Sequence, residues 1–293
     1  MIEIRVPATT ANLGAGFDCL GAALQIFDTF TAEESISDEL LNIAPQYNNA
    51  DNLFLKAFHS ISNRHVRVRF DADIPSARGL GSSAALSAAG VTAALAVENR
   101  PLNADFIFEK TSELEGHPDN AAPAVYGGLT ASLKEGEGIY MTRPLSLHPS
   151  WCFTVFIPDF EVKTADARAV LPETYPRSVI GSALGHAIWM SEGLRNGDMT
   201  ALKAAANDVI HEPYRKKLIA GFDELKKTVE KDTGGILLIS GSGSTCLLIS
   251  QRPLSASGMQ EVREQPVHWD IRKTAIDPHG LAIKENGLWR PII

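Results

Sequence analysis

Cysteine is scarce in this chain: Cys19, Cys152 and Cys246 are the three among 293 residues, odd in number and far apart. They read as free thiols in a reducing compartment, and their spacing excludes a zinc site. Long apolar runs are missing too. A membrane-spanning helix needs about 20 apolar residues in succession, and no stretch approaches that. Positive charge is in deficit: Lys+Arg total 27 against 35 for Asp+Glu, a formal net charge of −8. That balance argues against nucleic acid as a main partner, because a phosphate backbone needs a basic surface. A single anionic nucleotide is still admissible, held by local dipoles and a metal. The eight histidines are scattered and read mostly as surface or packing residues. The opening Met1-Ile-Glu-Ile-Arg-Val6 reads as a strand and not as a signal peptide, so the expected location is cytoplasmic.

Hydrophobic residues make up 44% and charged residues 21%, the balance of a soluble globular protein long enough for two domains. Short strands and helices alternate without repeats, giving an α+β expectation. Strands are expected over residues 3–8, 65–70, 126–133, 151–158, 236–240 and 245–250, with an extended region or hairpin over 22–35. Helices are expected over 52–63, 84–97, 103–115, 165–171, 178–196, 199–206 and 213–231. A polar, proline-flanked stretch at 144–150 suggests a boundary, dividing the chain into 1–150 and 151–293.

The most informative segment runs Pro75, Ser76, Ala77, Arg78, Gly79, Leu80, Gly81, Ser82, Ser83, Ala84, Ala85. It lies between a strand and an alanine-rich helix. Free backbone N–H groups and the helix dipole at such a junction attract anions, phosphate above all. Gly79 and Gly81 let the backbone approach a ligand, and the hydroxyls of Ser82 and Ser83 can reach phosphate or metal. No lysine follows Gly81 as a Walker A loop requires, and Ala84 stands where the dinucleotide fingerprint needs glycine. The plain alternative is a tight turn with Ser82 capping the helix.

Three further stretches carry polar chemistry. Asn12 and Asp18 flank the Gly14-Ala-Gly16 turn, where an amide and a carboxylate can orient a polar substrate; simple Asx-turns are the plain alternative. Glu113, Glu115, His117, Asp119 and Asn120 fall within eight residues and offer a magnesium ligand and substrate hydrogen bonds, or merely a solvated helix end. The stretch 234–245 places Gly241 and Gly243 between two expected strands, suited to close approach of a ligand or of the first glycine loop, or to a bare hairpin.

Taken together and in this order, these stretches resemble the motifs of the GHMP kinase superfamily. Within it the likeness is closest to the homoserine kinases, through Pro7-Ala-Thr-Thr-Ala-Asn12-Leu-Gly-x-Gly-Phe-Asp18, His117-x-Asp119-Asn120, Thr164-x-x-x-Arg168 and His211-Glu-Pro-Tyr-Arg215. The resemblance spans residues 7–245. It implies a first domain like ribosomal protein S5 domain 2, a ferredoxin-like second domain, and an active site in the cleft between them. The implied reaction converts L-homoserine and ATP to O-phospho-L-homoserine and ADP, a step toward threonine.

Carried over by position, Asn12 and Asp18 would hold the amino acid, with Asp18 on its ammonium. Arg168 and Arg215 would grip its carboxylate. His117, Asn120 and Thr164 would lie beside the substrate, Asn120 close to the reacting hydroxyl. Residues 75–85 would cradle the triphosphate of ATP. Mg²⁺ would be held by Ser83 and Glu113, with Glu115 as competitor because the segment before His117 is short. Asp119 is a candidate general base, ranked behind a structural role, since the resemblance also allows the γ-phosphate to take the proton itself. A homodimer is compatible with the family. Ala15 and Ser244 replace prolines common in the family's loops, which bears on stiffness more than on chemistry. The competing readings are another small-alcohol kinase of the superfamily, acting on L-threonine or mevalonate, and a non-catalytic nucleotide or metabolite sensor.

Overall fold

A computed structural model describes residues 1–136 and 138–292. The first part of the chain runs β1 (Ile2–Ala11), β2 (Leu20–Ser35), β3 (Glu39–Leu41), α1 (Leu53–His59), β4 (His65–Asp71), α2 (Ser82–Val97), α3 (Ala104–Glu115), α4 (Ala121–Tyr126), β5 (Leu129–Glu135) and β6 (Ile139–Leu145). The second runs β7 (Cys152–Pro158), α5 (Thr164–Ala169), α6 (Arg177–Asn196), α7 (Met199–Ala205), α8 (Glu212–Arg215), α9 (Phe222–Thr233), β8 (Ile236–Ile239), β9 (Cys246–Ser250), α10 (Ala256–Arg263) and β10 (Trp269–Thr274). Strands β11 (Ala282–Glu285) and β12 (Leu288–Pro291) close the chain.

Among the described residues, β12-β11-β1-β2-β4-β3 follow one another in the first sheet, with β5 added beside β2 and β6 beside β5. Alternation decides which side of β4 faces inward: Val66, Val68 and Phe70 are buried while the residues between them are exposed. Phe30 of β2 stands opposite Phe70 and packs on it edge to face, with Phe54 of α1 completing the aromatic cluster. Helices α2 and α4 lie against β1 and β2, and α1 and α3 flank α2. Because α2 is surrounded, its apolar residues need not keep to one stripe; its alanines from Ala84 to Ala94 let neighbouring backbones come close.

The second sheet has the order β10-β7-β9-β8, antiparallel throughout. With α9 before β8 and α10 before β10, this is the β-α-β-β-α-β plan of a ferredoxin-like domain.

Four expectations need correction. Residues 22–35 form no hairpin: β2 is one strand, because β1 and β4 both pair along it, and β5 takes its first residues. Tyr126 ends α4 instead of opening a strand, and β5 starts only after Gly127 and Gly128. The helix expected over 213–231 is broken, since Gly221 adopts a left-handed φ of 76° and starts α9 in a new direction. Finally, a single division at residue 150 does not describe the chain. Strand β11 pairs with β1, Ile4 opposite Ile283, so the C-terminal strands of the proposed second domain belong to the first sheet. Edge pairing across the whole length of the chain leaves no local signal in the sequence.

Candidate active site

Two glycine loops meet where the sheets approach each other. Gly79 has a left-handed φ, and a Cβ there would lie 2.2 Å from the Ser240 carbonyl oxygen and 2.8 Å from that of Gly243. The glycine motifs therefore exist first to let two backbones touch. Ser240 Oγ donates to the Gly79 carbonyl (2.6 Å), and the Thr245 N–H donates to the Arg78 carbonyl (3.0 Å). Gly81, also left-handed, forms the N-cap of α2; a Cβ there would collide with Thr9 Oγ1 at 1.8 Å. Ser82 is thus the first helical residue and not its cap. With glycine at that position, no side chain caps the first-turn N–H groups of α2, which stay available to an external acceptor.

This junction forms the floor of a cleft of about 490 Å³. Asn12, Asp18, Ala77 to Ser83, Glu115, His117, Asp119 and Asn120 line it from the first domain, and Thr164, Arg168, Arg215 and Gly241 from the second. Nearly every residue singled out in the sequence is brought here, from stretches as far apart in the chain as Asn12 and Gly241. Pro75 and Ser76 lie outside the lining, Ala84 and Ala85 are buried beneath it in α2, and Gly243 serves the contact between loops.

Glu113 is not part of the cleft. It sits on the exposed side of α3, where its carboxylate pairs with Lys110 at 2.7 Å. Glu115, two residues on, lies on a different face of the same helix and turns inward. Its Oε1 accepts from Ser83 Oγ at 2.5 Å and from Ser87 Oγ at 3.2 Å. Burial raises its pKa, and the Ser83 hydrogen bond offsets part of that rise. A 100° step per residue places 113 and 115 on opposite sides of α3, a distinction that helix phase could have provided from the sequence.

Asp119 is 2% exposed, and its Oδ1 accepts from His117 Nδ1 at 2.6 Å. Burial alone would lower the His117 pKa, but the bond and charge of Asp119 lift it above the ordinary histidine value. Asn120 is the N-cap residue just before α4, and its Oδ1 accepts from Thr9 Oγ1 at 2.7 Å.

Across the cleft, Arg168 makes a two-pronged pair with Asp18, at 3.0 and 3.2 Å. The two residues expected to hold opposite ends of a substrate thus hold each other here. Asn12 Oδ1 accepts from the Asp18 N–H, and its Nδ2 donates to the Gly241 carbonyl (2.8 Å), tying this loop to the other domain. Arg215 is buried; its Nε donates to the Ala167 carbonyl and its Nη1 to that of Gly241. Burial, and then the neighbouring Arg168, lower the Arg215 pKa. Thr164 Oγ1 stands 3.5 Å from Ser242 Oγ at the rim.

Sequence reasoning passed over Leu53, Lys56, Ser87, Leu114 and Ser242, which also line the cleft. They lie in helices or beside a motif with nothing in their local pattern to mark them.

The GHMP kinases N terminal domain model matches residues 22–128, and the GHMP kinases C terminal model matches residues 190–265. The chain belongs to the GHMP kinase family. Homoserine kinase of Clostridium botulinum (strain Okra / Type B1) is 36% identical, over 98% of this chain and 100% of that protein. Homoserine kinase of Picosynechococcus sp. is 38% identical, over 90% of this chain and 92% of its own length. The crystal structure of homoserine kinase from Cytophaga hutchinsonii superposes on this GHMP kinase with a TM-score of 0.80 at 25% identity, covering 97% of both chains. A mevalonate kinase shares the fold at 15% identity, with a TM-score of 0.70. As a member of this kinase family the protein uses ATP and transfers phosphoryl groups to an alcohol. Among the described residues no helix is long and apolar enough to cross a membrane.

Proposed function

We infer that this GHMP kinase transfers the γ-phosphoryl group of ATP to the side-chain hydroxyl of L-homoserine, forming O-phospho-L-homoserine on the way to threonine. One observation carries the substrate: a carboxylate, Asp18, and two guanidiniums, Arg168 and Arg215, stand together beside the open helix N-terminus. An amino acid presents an ammonium to the first and a carboxylate to the others. Mevalonate has no ammonium and would leave Asp18 without its share of the binding. The full-length likeness to homoserine kinases supports the same reading.

In the transfer, the acceptor hydroxyl oxygen forms a bond to Pγ as the bond from Pγ to the bridging oxygen breaks and ADP leaves, and the hydroxyl proton passes to an oxygen of the γ-phosphoryl group itself. Such reactions depend on in-line positioning and on neutralising charge. The N–H groups at the start of α2 supply the second, and the grip of Asp18 and the arginines on homoserine supplies the first. His117 is the imidazole that faces the acceptor, and buried Asp119 orients it from behind; that assigns Asp119 a supporting role instead of direct proton abstraction.

The cleft also suits a magnesium ion. Among the described residues no cluster of three His, Cys, Asp or Glu side chains forms a protein-only metal cage. Magnesium commonly takes one or two protein oxygens and completes its shell with phosphate and water. The inward carboxylate of Glu115, with Ser83 beside it, matches that need. When bound, the ion would neutralise charge on the triphosphate.

The deciding experiment measures ADP release from Mg·ATP with L-homoserine, L-threonine, L-serine and mevalonate in parallel. Turnover chiefly with homoserine is expected. Turnover chiefly with another alcohol removes the substrate reading, and nucleotide binding without turnover on any of them supports a sensor.

A further inference from the structure

Phe17 stands in the Asn12–Asp18 loop of the first domain, partly exposed, and the groups around its ring come from the second domain. The Arg215 guanidinium carbon lies 5.1 Å from the ring centroid and that of Arg168 lies 5.9 Å away. The His211 imidazole packs on the same ring at 5.5 Å, tilted by 32°. Two cations this close repel each other, although Asp18 pairs with Arg168 and the Ala167 and Gly241 carbonyls accept from Arg215. A phenyl face carries a negative quadrupole, so one ring within reach of both guanidiniums offsets part of that repulsion.

The ring is itself held. His211 is fully buried, and its Nε2 bonds to the Gly14 carbonyl (2.9 Å) within the loop that carries Phe17. Burial keeps His211 neutral by lowering its pKa, so it adds no third cation. Asn12, Leu13, Gly14 and Asp18 all have left-handed φ values, of 70°, 44°, 71° and 55°. At Asn12, Leu13 and Asp18, which are not glycine, such angles persist only where the surroundings over-determine the loop.

We propose that Phe17 is a positioning residue for substrate: its ring, backed by His211, holds Arg168 and Arg215 together as one carboxylate-binding pair. The ring touches no reacting atom. It acts through the two arginines, and so only on substrates with a carboxylate for them to bind. This rests on homoserine as the acceptor.

The test compares kcat/KM for L-homoserine and for 3-amino-1-propanol, the same alcohol without its carboxylate, in the wild type and in Phe17→Leu. The variant should lose roughly 5- to 10-fold with homoserine, through KM, with the KM for ATP unchanged. With 3-amino-1-propanol it should match the wild type. Phe17→Tyr, which keeps the ring face, should restore homoserine to within about 2-fold of wild type. Equal losses on both alcohols, or no loss on either, overturn the proposal while leaving homoserine kinase activity intact. A wild type that turns over no homoserine removes the substrate reading and the proposal with it. If Phe17→Leu does not fold, Phe17→Met, also without a ring and close in volume, takes its place in the same comparison.

Discussion

On the first-domain side of the cleft stand the backbone N–H donors at the start of α2, left uncapped because Gly81 carries no side chain. On the second-domain side stand two guanidiniums, that of Arg168 paired with Asp18 and that of Arg215 held by the Ala167 and Gly241 carbonyls. The backbone wall is rigid and suits a group shared by every kinase of this family, the triphosphate. The side-chain wall can change residue by residue without touching the fold, and it suits the acceptor that differs among them. On the function proposed above, phosphate recognition is tied to main-chain geometry and substrate choice to a few charged groups.

Breaking the backbone wall should have the largest effect. Gly79→Ala puts a methyl group against two carbonyl oxygens of the facing loop at a left-handed φ. Loss of kcat/KM by roughly 100- to 1,000-fold is expected, the scale of a misplaced oxyanion donor, with the KM for ATP raised. An alanine variant with wild-type kinetics would show that the two loops are free to separate.

Next comes the inward carboxylate of α3, which accepts from two serines of α2. Glu115→Gln should lower kcat by about 100-fold and raise the magnesium concentration needed for half-maximal rate. Glu113→Gln, on the outer face of α3, should change neither by more than about 2-fold. Reversal of that order would return the metal to Glu113.

The side-chain wall should respond more narrowly. Arg215→Ala should raise the KM for homoserine about 10-fold and leave that for ATP alone. Removing its donors from the Ala167 and Gly241 carbonyls should also cost about 1–3 kcal/mol in a denaturation experiment. Arg215→Lys should not restore the substrate KM, since an ammonium cannot serve two carbonyls and a carboxylate in one plane.

The smallest expected effect on activity lies far from both walls. Asp28 is buried in β2 and accepts from the Asp73 and Ile74 N–H groups, both at 2.8 Å, yet burial raises its pKa to about 6. The folded state then binds a proton more tightly than the unfolded chain does, so this group's contribution to stability falls as pH rises from about 4 to about 6. Asp28→Asn keeps an oxygen acceptor and removes the buried charge. It should gain about 3 kcal/mol or less at pH 8, shrinking to nothing near pH 3.5, with kinetics unchanged. A stability difference independent of pH would place the cost in packing instead of ionisation.

Motifs were legible where a local rule governs them. The alternation of β4, the glycine-serine turn before α2 and the Asn12–Asp18 loop all announced themselves within a few residues. Glu115 and Glu113 were not separated, although the phase of α3 distinguishes them. Lys56 and Leu53 were missed because their place in the cleft comes from how α1 packs on α2, which no short window contains.

The amino-acid sequence by itself determined the family, the glycine-serine loop and most of the residues that meet in the cleft, because these rest on glycine positions and charged side chains at fixed spacings. Only the tertiary structure decided that β11 and β12 return to the first sheet, that Asp18 pairs with Arg168, and that Phe17 lies within reach of two arginines from the other domain. Those contacts join residues up to 279 positions apart, Ile4 with Ile283 among them. Such pairings follow from the packing of whole elements, and the chain carries no local mark of them.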